Sequence, residues 1–297
     1  MNDFKHDDAL RSELEAHIRA FCAGPLNDMQ RETPEPAWDA PLIGYARGDD
    51  ALFSLFKDVV APFHWTPQEV FALAFPDRPV EPAALTVIAW ILPQTRQTKT
   101  DNRRQRKYPA ERWARTRVYG ELFNRQLRQA VADWLAVHGI EAVAPMLLAD
   151  WSERMSPHFG DASTWSERHA AYACGLGTFG LSDGLITPLG KAMRVGSVVA
   201  RMALEPTPRP YTGRSDYCLY RTHGTCGWCI NRCPAGAISH AGHDKRKCRE
   251  YLQLTAKYVK SVYGFDGYGC GLCQTGVPCE SGIPKGVRLA RLDDQPR

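Results

Sequence analysis

The stretch "CGWCINRCPAG", residues 226–236, packs three cysteines into eight residues and follows the third with a proline. The chain has 297 residues, enough to bury a core without covalent staples, so crowded soft thiols point to metal ligation rather than to disulfides. The bacterial ferredoxin run is C-x2-C-x2-C-x3-C-P: one loop wraps three corners of a cuboidal cluster, and the last cysteine serves the neighbouring cluster. Aligned on Pro234, Cys233 takes the last position, Cys229 the third and Cys226 the second, and the first falls on His223. Cys218, five residues upstream, is the candidate for the missing thiolate, with His223 as runner-up because imidazole also ligates iron–sulfur centres.

Working outward, eight of the ten cysteines lie between Cys218 and Cys279, while Cys22 and Cys174 stand apart. The second group, "GCGLCQTGVPCESG" (269–282), offers C-x2-C-x5-C, and Cys248 falls between the two groups. Crossing of ligands as in ferredoxins puts Cys218, Cys226, Cys229 and Cys279 on one 4Fe-4S cluster and Cys233, Cys248, Cys270 and Cys273 on a second. The competing reading is a zinc site built from the two C-x2-C pairs, which leaves four clustered cysteines and the Cys-Pro unexplained. Cys22 reads as a buried apolar residue of its helix.

The rest of the chain alternates helical and strand patterns. Helices are expected over 9–23, "ALFSLFKDVV", "TPQEVFALAF" with Thr66 as cap and Pro67 in the first turn, 111–139 and 165–175. Strands are expected at 85–92, "EAVAPMLL", "GLITPLG" and "RVGSVVARMAL". The expected fold class is therefore α/β or α+β with a central sheet. The proline-rich "EPTPRPYTGR" (205–214) divides an expected domain 1–204 from a ferredoxin-like domain 211–290. The longest apolar run, "ALTVIAWIL" (84–92), is too short for a membrane helix, and the acidic, polar start lacks the order of a secretory signal, so a cytoplasmic protein with no membrane partner is expected. A net charge of +4 does not by itself announce a nucleic-acid binder.

Three further features carry candidate chemistry. "YACGLGTFGLSDGLITPLG" (172–190) contains G-x-G-x-x-G at Gly175, Gly177 and Gly180, but a helix precedes it and an extended segment follows, the reverse of a dinucleotide fingerprint. Its glycines imply either a tight turn or close approach to something large and flat. Ser182 and Asp183 read as a turn with a possible role beside a cofactor. "DNRRQRKYPAERWARTR" (101–117) carries seven cations against two acids and reads either as a solvated helix start or as a phosphate-tracking surface. His158, His169, His240 and His243 have no metal spacing.

In order along the chain, "WSERHAAYACGLGTFG", "LITPLG", "VGSVVA", "CGWCINRCPAGAI", "KCREYL" and "GCGLCQ" resemble epoxyqueuosine reductase and its relatives, which share architecture with reductive dehalogenases. The resemblance implies a cobalamin domain followed by a ferredoxin-like domain with two 4Fe-4S clusters that feed electrons to the cobalt. It implies corrin contact at Gly175, Leu176, Gly177, Gly180 and Asp183, a flavodoxin or ferredoxin as electron donor, and tRNA as a possible partner. In the family a Gly-Arg-Asp-Tyr-His stretch carries the proton donor. The matching stretch here is "GELFN" (120–124), with Leu122 where that Asp would stand, which leaves Glu121 and Tyr119 as neighbouring candidates. The sequence thus predicts a divergent, cobalamin-using oxidoreductase, against two alternatives: a two-cluster electron-transfer protein without corrin, and a tRNA-binding paralogue with structural clusters.

Overall fold

The computed structural model describes residues 3–287, so residues 1–2 and 288–290 of the expected domains lie outside it. Its centre is a four-stranded sheet of β1 (Leu42–Arg47), β2 (Thr86–Pro93), β3 (Ala142–Val143) and β8 (Met193–Ala200), in the order β1-β2-β8-β3 with every pairing antiparallel. The chain is thus a mixed α and β protein on an antiparallel sheet. Three small hairpins complete the strands: β4 (Glu153–Ser156) with β5 (Gly160–Ser163), β6 (Thr178–Phe179) with β7 (Leu185–Ile186), and β9 (Ile238–Ser239) with β10 (Gly242–His243).

β2 is buried along its whole length, and its side chains alternate between two cores. Val87, Ala89 and Ile91 join one core with Phe53, Phe56, Phe71 and Ala170. Ile88, Trp90 and Leu92 join the other with Leu14, Ile18, Phe123 and Leu127. This is the period-2 signature of a strand covered on both faces. The first face carries α2 (Ala51–Val59), α3 (Pro67–Ala74) and α6 (Glu167–Ala173); the second carries α1 (Asp3–Ala23) and α5 (Glu111–Val137). At α3 the Thr66 side chain accepts from the Glu69 amide at 3.3 Å, and the Glu69 carboxylate accepts from the Thr66 amide at 2.8 Å, a complete capping box.

Two expected strands are shorter than their apolar runs. "EAVAPMLL" pairs only at Ala142–Val143 and then turns at Pro145–Leu147, because Pro145 has no amide to give to a ladder. "GLITPLG" pairs only at Leu185–Ile186 before the Thr187–Gly190 turn. The proline-rich segment is extended, and the first core continues across it through Tyr211, Tyr217, Cys218, Cys229 and Ile238. After it come α7 (Leu219–His223), α8 (Trp228–Asn231) and α9 (Lys245–Tyr263), with α4 (Arg96–Arg104) packed beneath the last cysteine loop. Among the described residues no helix is long and apolar enough to cross a membrane.

Candidate functional site: two cysteine quartets beside a cavity

All ten cysteines are free thiols. Cys218 is the N-cap of α7, Cys226 and Cys229 flank the start of α8, and Cys279 comes from the last loop. Burial pushes the Cys229 thiol up, the Lys191 cation opposes it, and Cys279, Cys218 and Cys226 push it further. Cys279 is raised in the same way, by burial and then, against Lys191, by Cys218 and Cys226. Cys270 is pushed up to about 12 by burial, then by Cys273, Cys248 and Cys233. Cys273 rises to about 12 by burial and, against Lys191, by Cys248, Cys233 and Cys229. Cys218, Cys226, Cys229 and Cys279 are called the first quartet and Cys233, Cys248, Cys270 and Cys273 the second, because within each the thiols act electrostatically on one another; Cys273 also feels Cys229. Among the described residues no three His, Cys, Asp or Glu side chains are arranged to hold a single ion.

Three residues that spacing did not single out hold these loops. Arg232, 8% exposed, donates from Nε to the carbonyls of Leu272 at 3.2 Å and Thr275 at 2.9 Å, and from its other nitrogens to Gln105 and Asn102 carbonyls. It ties the first cysteine run to the second and both to the end of α4. Asn102, fully buried, donates to the Cys270 carbonyl at 3.3 Å and accepts from the Ala110 amide at 3.0 Å. Lys191 is 2% exposed; burial works to lower the pKa of its ammonium, and the thiols of Cys279, Cys273, Cys229 and Cys218 raise it. The only sequence signal for Arg232 is its position inside the cysteine run; for Lys191 it is the turn glycine before it. The basic segment is only partly solvated: Arg103 pairs with the buried Glu280, and Gly271 lies against Trp113, where a β-carbon would come within 1.9 Å of the indole.

Beside the quartets lies a cavity of about 940 Å³, at the upper end of the range for ligand sites. Leu52, Leu55, Phe56, Val59, Tyr172 and Phe179 form apolar wall, and Arg117, Arg194 and Tyr268 form a polar end. All four thiols of the second quartet line it; none of the first does.

Of the residues expected at a cofactor, Asp183 lines this cavity and pairs with His243 Nδ1 at 3.2 Å, while Gly175, Leu176, Gly177 and Gly180 do not. The close approach their glycines permit is to the chain itself. A β-carbon at Gly175 (φ 77°) would lie 2.9 Å from the Pro208 carbonyl oxygen, and one at Gly177 would lie 2.2 Å from that of Ile186. Leu176 is 2% exposed and packs against Gly44 in the core.

Glu121 and Tyr119, the candidate acids, do not line the cavity either. Glu121 accepts from Arg128 Nη1 at 3.1 Å and pairs with Arg194 Nε at 3.1 Å. Burial works to raise its carboxyl, but Arg194 and Arg128 overcome that and hold it below the usual carboxylate range. A carboxyl held ionised is a poor proton donor. Arg128, 3% exposed at its side chain, is shared with Glu167, which also accepts from the Ser197 hydroxyl. Tyr119 packs against Phe265, and Leu122 is 52% exposed.

No family model matches the chain. The epoxyqueuosine reductase of Bacillus anthracis is 30% identical to it over 129 residues, covering 41% of this chain and 32% of that protein. The enzyme of the same name from Staphylococcus aureus (strain NCTC 8325 / PS 47) is 31% identical over 129 residues, with the same coverage. The chain thus spans about a third of the length of the curated relatives it matches. A crystal structure of epoxyqueuosine reductase with a tRNA-Tyr epoxyqueuosine-modified stem loop aligns with 94% of this chain and 68% of its own at 18% identity and a TM-score of 0.53, a likeness of fold. Over the 129 matched residues in sequence, and over most of its length in fold, the chain is similar to epoxyqueuosine reductase.

Proposed function

We propose that the chain is an iron–sulfur oxidoreductase in which the two quartets hold two 4Fe-4S clusters, and the second delivers electrons to a substrate reduced in the cavity. The observation that carries this is the asymmetry of the quartets: Cys233, Cys248, Cys270 and Cys273 line the cavity, and the other four thiols do not. The donor set fits such centres. Thiolates suit iron–sulfur clusters, and the buried cations of Lys191 and Arg232 match the negative charge that four thiolates bring. A zinc site on the two C-x2-C pairs would leave the other four clustered cysteines without a role.

The volume of the cavity and its apolar wall support a large, partly apolar cofactor such as cobalamin as its occupant. Bound there, cobalamin would supply a metal centre that the second cluster reduces. Leu52, Phe56 and Phe179 would exclude water from it, and Arg117 and Arg194 would orient an anionic group of cofactor or substrate.

A second reading concerns the partner. The cavity-lining Tyr251 donates its hydroxyl to the Lys107 carbonyl, so the exposed Arg106 and Lys107 stand at the cavity rim. This favours a substrate carried on RNA, the kind of molecule bound in the structurally similar reductase.

The test is anaerobic reconstitution with iron, sulfide and cobalamin, followed by gel filtration. About eight irons per chain and a retained corrin spectrum are expected. Stoichiometric zinc without iron–sulfur absorption would overturn the clusters. Eight irons with no retained corrin would leave a two-cluster electron-transfer protein.

A further inference from the structure

The cavity wall is more basic than the chain as a whole. Six Arg and Lys side chains line it against three Asp and Glu, where the full sequence has 37 against 33. The three carboxylates are already engaged. Asp183 pairs with His243 Nδ1, and Glu153 and Asp161 pair with Arg249 at 2.8 and 3.2 Å. Of the other cations, Arg194 pairs with Glu121, and Arg117 is held by the hydroxyl and ring of Tyr268. Arg168, Arg214 and Lys245 remain, and among the described residues no carboxylate pairs with them. Arg168 donates from Nη1 to the Asp183 carbonyl at 2.6 Å, and Lys245 donates from Nζ to the Asp161 carbonyl at 2.7 Å. These bonds fix the two heads without neutralising them. Arg214 is exposed; its backbone carbonyl accepts from the Phe179 amide at 2.7 Å, while Asp216, two residues on, is taken by the Thr212 and Gly213 amides at 3.0 and 2.9 Å. The three cations come from separate elements, Arg168 from α6, Lys245 from the start of α9 and Arg214 from the end of the proline-rich segment. They converge on one place. Burial first, and then His64, Arg168, Lys245 and Arg214, push down the pKa of His169, which lines the same cavity. Arg103, which has a carboxylate partner, is held above the ordinary arginine value. Burial instead pulls Arg168 and Lys245 down, with Asp183 opposing in both. Like charges gathered without a counter-ion favour the entry of an anion.

We propose that Arg168, Arg214 and Lys245 form a subsite for a phosphate monoester carried by the substrate. Two planar guanidinium forks and one ammonium, brought in from three elements, suit the tetrahedral oxygens of a phosphate. A monoester brings a charge of about −1.5 to −2 at neutral pH, whereas a carboxylate, a sulfate ester or a phosphodiester brings one negative charge. Three unpaired cations favour the more highly charged group. Phe179 and Tyr172 offer apolar wall to the rest of the molecule. That the phosphate belongs to a substrate rests on the reading of the cavity as the place of reduction; the anion site itself does not.

The experiment is isothermal titration calorimetry on the full, iron-loaded chain under anaerobic conditions. Phenyl phosphate is the probe, and phenyl sulfate has nearly the same shape with less charge. Phenyl phosphate is expected to bind at one site, about tenfold or more tightly than the sulfate. Arg214→Gln is expected to weaken phenyl phosphate about tenfold and to narrow its advantage over the sulfate, since a hydrogen bond to a charged group is worth about that factor or more. Lys245→Gln is expected to do the same. Iron content and unfolding midpoint should match the unmodified chain in Arg214→Gln, whose side chain holds no carboxylate in the folded protein. No binding of phenyl phosphate, equal binding of the sulfate, or unchanged affinity in iron-loaded Arg214→Gln would each overturn the subsite and leave the clusters standing. A chain that takes up no iron but binds phenyl phosphate through Arg214 would overturn the two-cluster reading and keep the anion site. Displacement of the probe by cobalamin, but not by cobinamide, which lacks the nucleotide loop and its phosphate, would give the subsite to the cofactor and overturn the substrate assignment. Tighter binding of a dinucleoside monophosphate than of phenyl phosphate would give it to an RNA backbone and overturn the monoester.

Discussion

The backbone amide of Lys191 donates to the carbonyl of Cys279 at 2.8 Å, and the ammonium of the same residue donates to the Ser182 hydroxyl at 3.1 Å. One residue thus spans from the last cysteine loop to the cavity wall and leaves a positive charge in the interior. An unpaired buried ammonium is costly. Burial pulls its pKa down, but Cys279, Cys273, Cys229 and Cys218 pull it up, and the net direction is upward. Those thiols come from both quartets. In the iron-loaded protein Lys191→Met is expected to keep the iron and to make the cluster potentials more negative, because a nearby cation favours the reduced, more negative centre. The size should be on the order of 100 mV, since a unit charge a few ångströms away acts with about 2–4 kcal/mol at an effective dielectric of 20. An electron-paramagnetic redox titration reads this directly, and unchanged potentials would show that the charge is balanced elsewhere.

Cys218 and His223 compete for the first ligand position. Cys218 is 8% exposed and adds to the charge felt by Cys229, whereas His223 is exposed and its Nδ1 is engaged with the Thr222 hydroxyl at 2.6 Å. Cys218→Ser should lose about four irons per chain, while His223→Ala should lose none. Iron analysis with the visible spectrum checks both, and the reverse result would make the imidazole the ligand.

The gathering of eight cysteines in the last third of the chain was legible from their spacing alone; how they divide between centres is what the proposed function adds. β2 was legible because nine apolar or β-branched residues in a row admit few other readings. The glycine segment was not. A glycine reports that something comes close, and the carbonyls of Ile186 and Pro208 are as close as any ligand would be. The state of Glu121 was also hidden, because Arg194 reaches it from a strand 73 positions away, beyond any helical neighbour rule. Arg232 and Asn102 escaped notice because single polar residues show their burial only when the fold is known.

Glu121 should act as a structural anion rather than as an acid. Glu121→Gln leaves Arg128 with one carboxylate in place of two, and the expected loss is about 2 kcal/mol, moderated because Glu121 is 32% exposed at its side chain. The folded pKa is lowered, so its contribution is complete above the unfolded value of about 4.3 and is lost as pH falls through the folded value. Urea unfolding of both proteins at pH 7 and below pH 4 should therefore show a gap that closes in acid. A gap that stays constant with pH would mean that the amide fails for steric reasons.

His64 carries a second acid sensitivity in a different window. It is 2% exposed, donates from Nδ1 to the Ser163 carbonyl at 3.1 Å, and stacks parallel to Trp165. Burial takes its pKa down to about 4, against the Ser163 carbonyl. The folded protein therefore keeps the ring neutral where the unfolded chain protonates it, and stability present above pH 6.5 is lost as pH falls toward 4. The size is about 3 kcal/mol across that window. His169, 5.5 Å away and also pushed down by burial, acts in the same direction. His64→Gln should flatten the dependence of the unfolding midpoint between pH 6.5 and 4, and an unchanged slope would assign it to His169 or to other groups.

The basic segment separates into two parts with opposite expected behaviour. Arg103 donates from Nε to the Glu280 carboxylate at 3.1 Å, and Glu280 also accepts from the Gly276 amide, so this arginine braces the loop that carries Cys273 and Cys279. Arg103→Ala should weaken iron retention without a specific effect on RNA. Arg106 and Lys107 are exposed, and among the described residues no carboxylate pairs with them. With the exposed Arg104, they are cations of this segment able to meet phosphate. Reversal of both to Glu should weaken binding of a tRNA stem loop at low salt and reduce the slope of log affinity against log salt by about 2, since each phosphate contact on a duplex contributes about 0.9. Iron content should be unchanged. Filter binding across a salt series measures the slope. If the unmodified chain binds no stem loop at low salt, Arg106 and Lys107 are a solvated face and the substrate does not travel on RNA. If it binds and the reversal leaves the slope untouched, RNA approaches from another side.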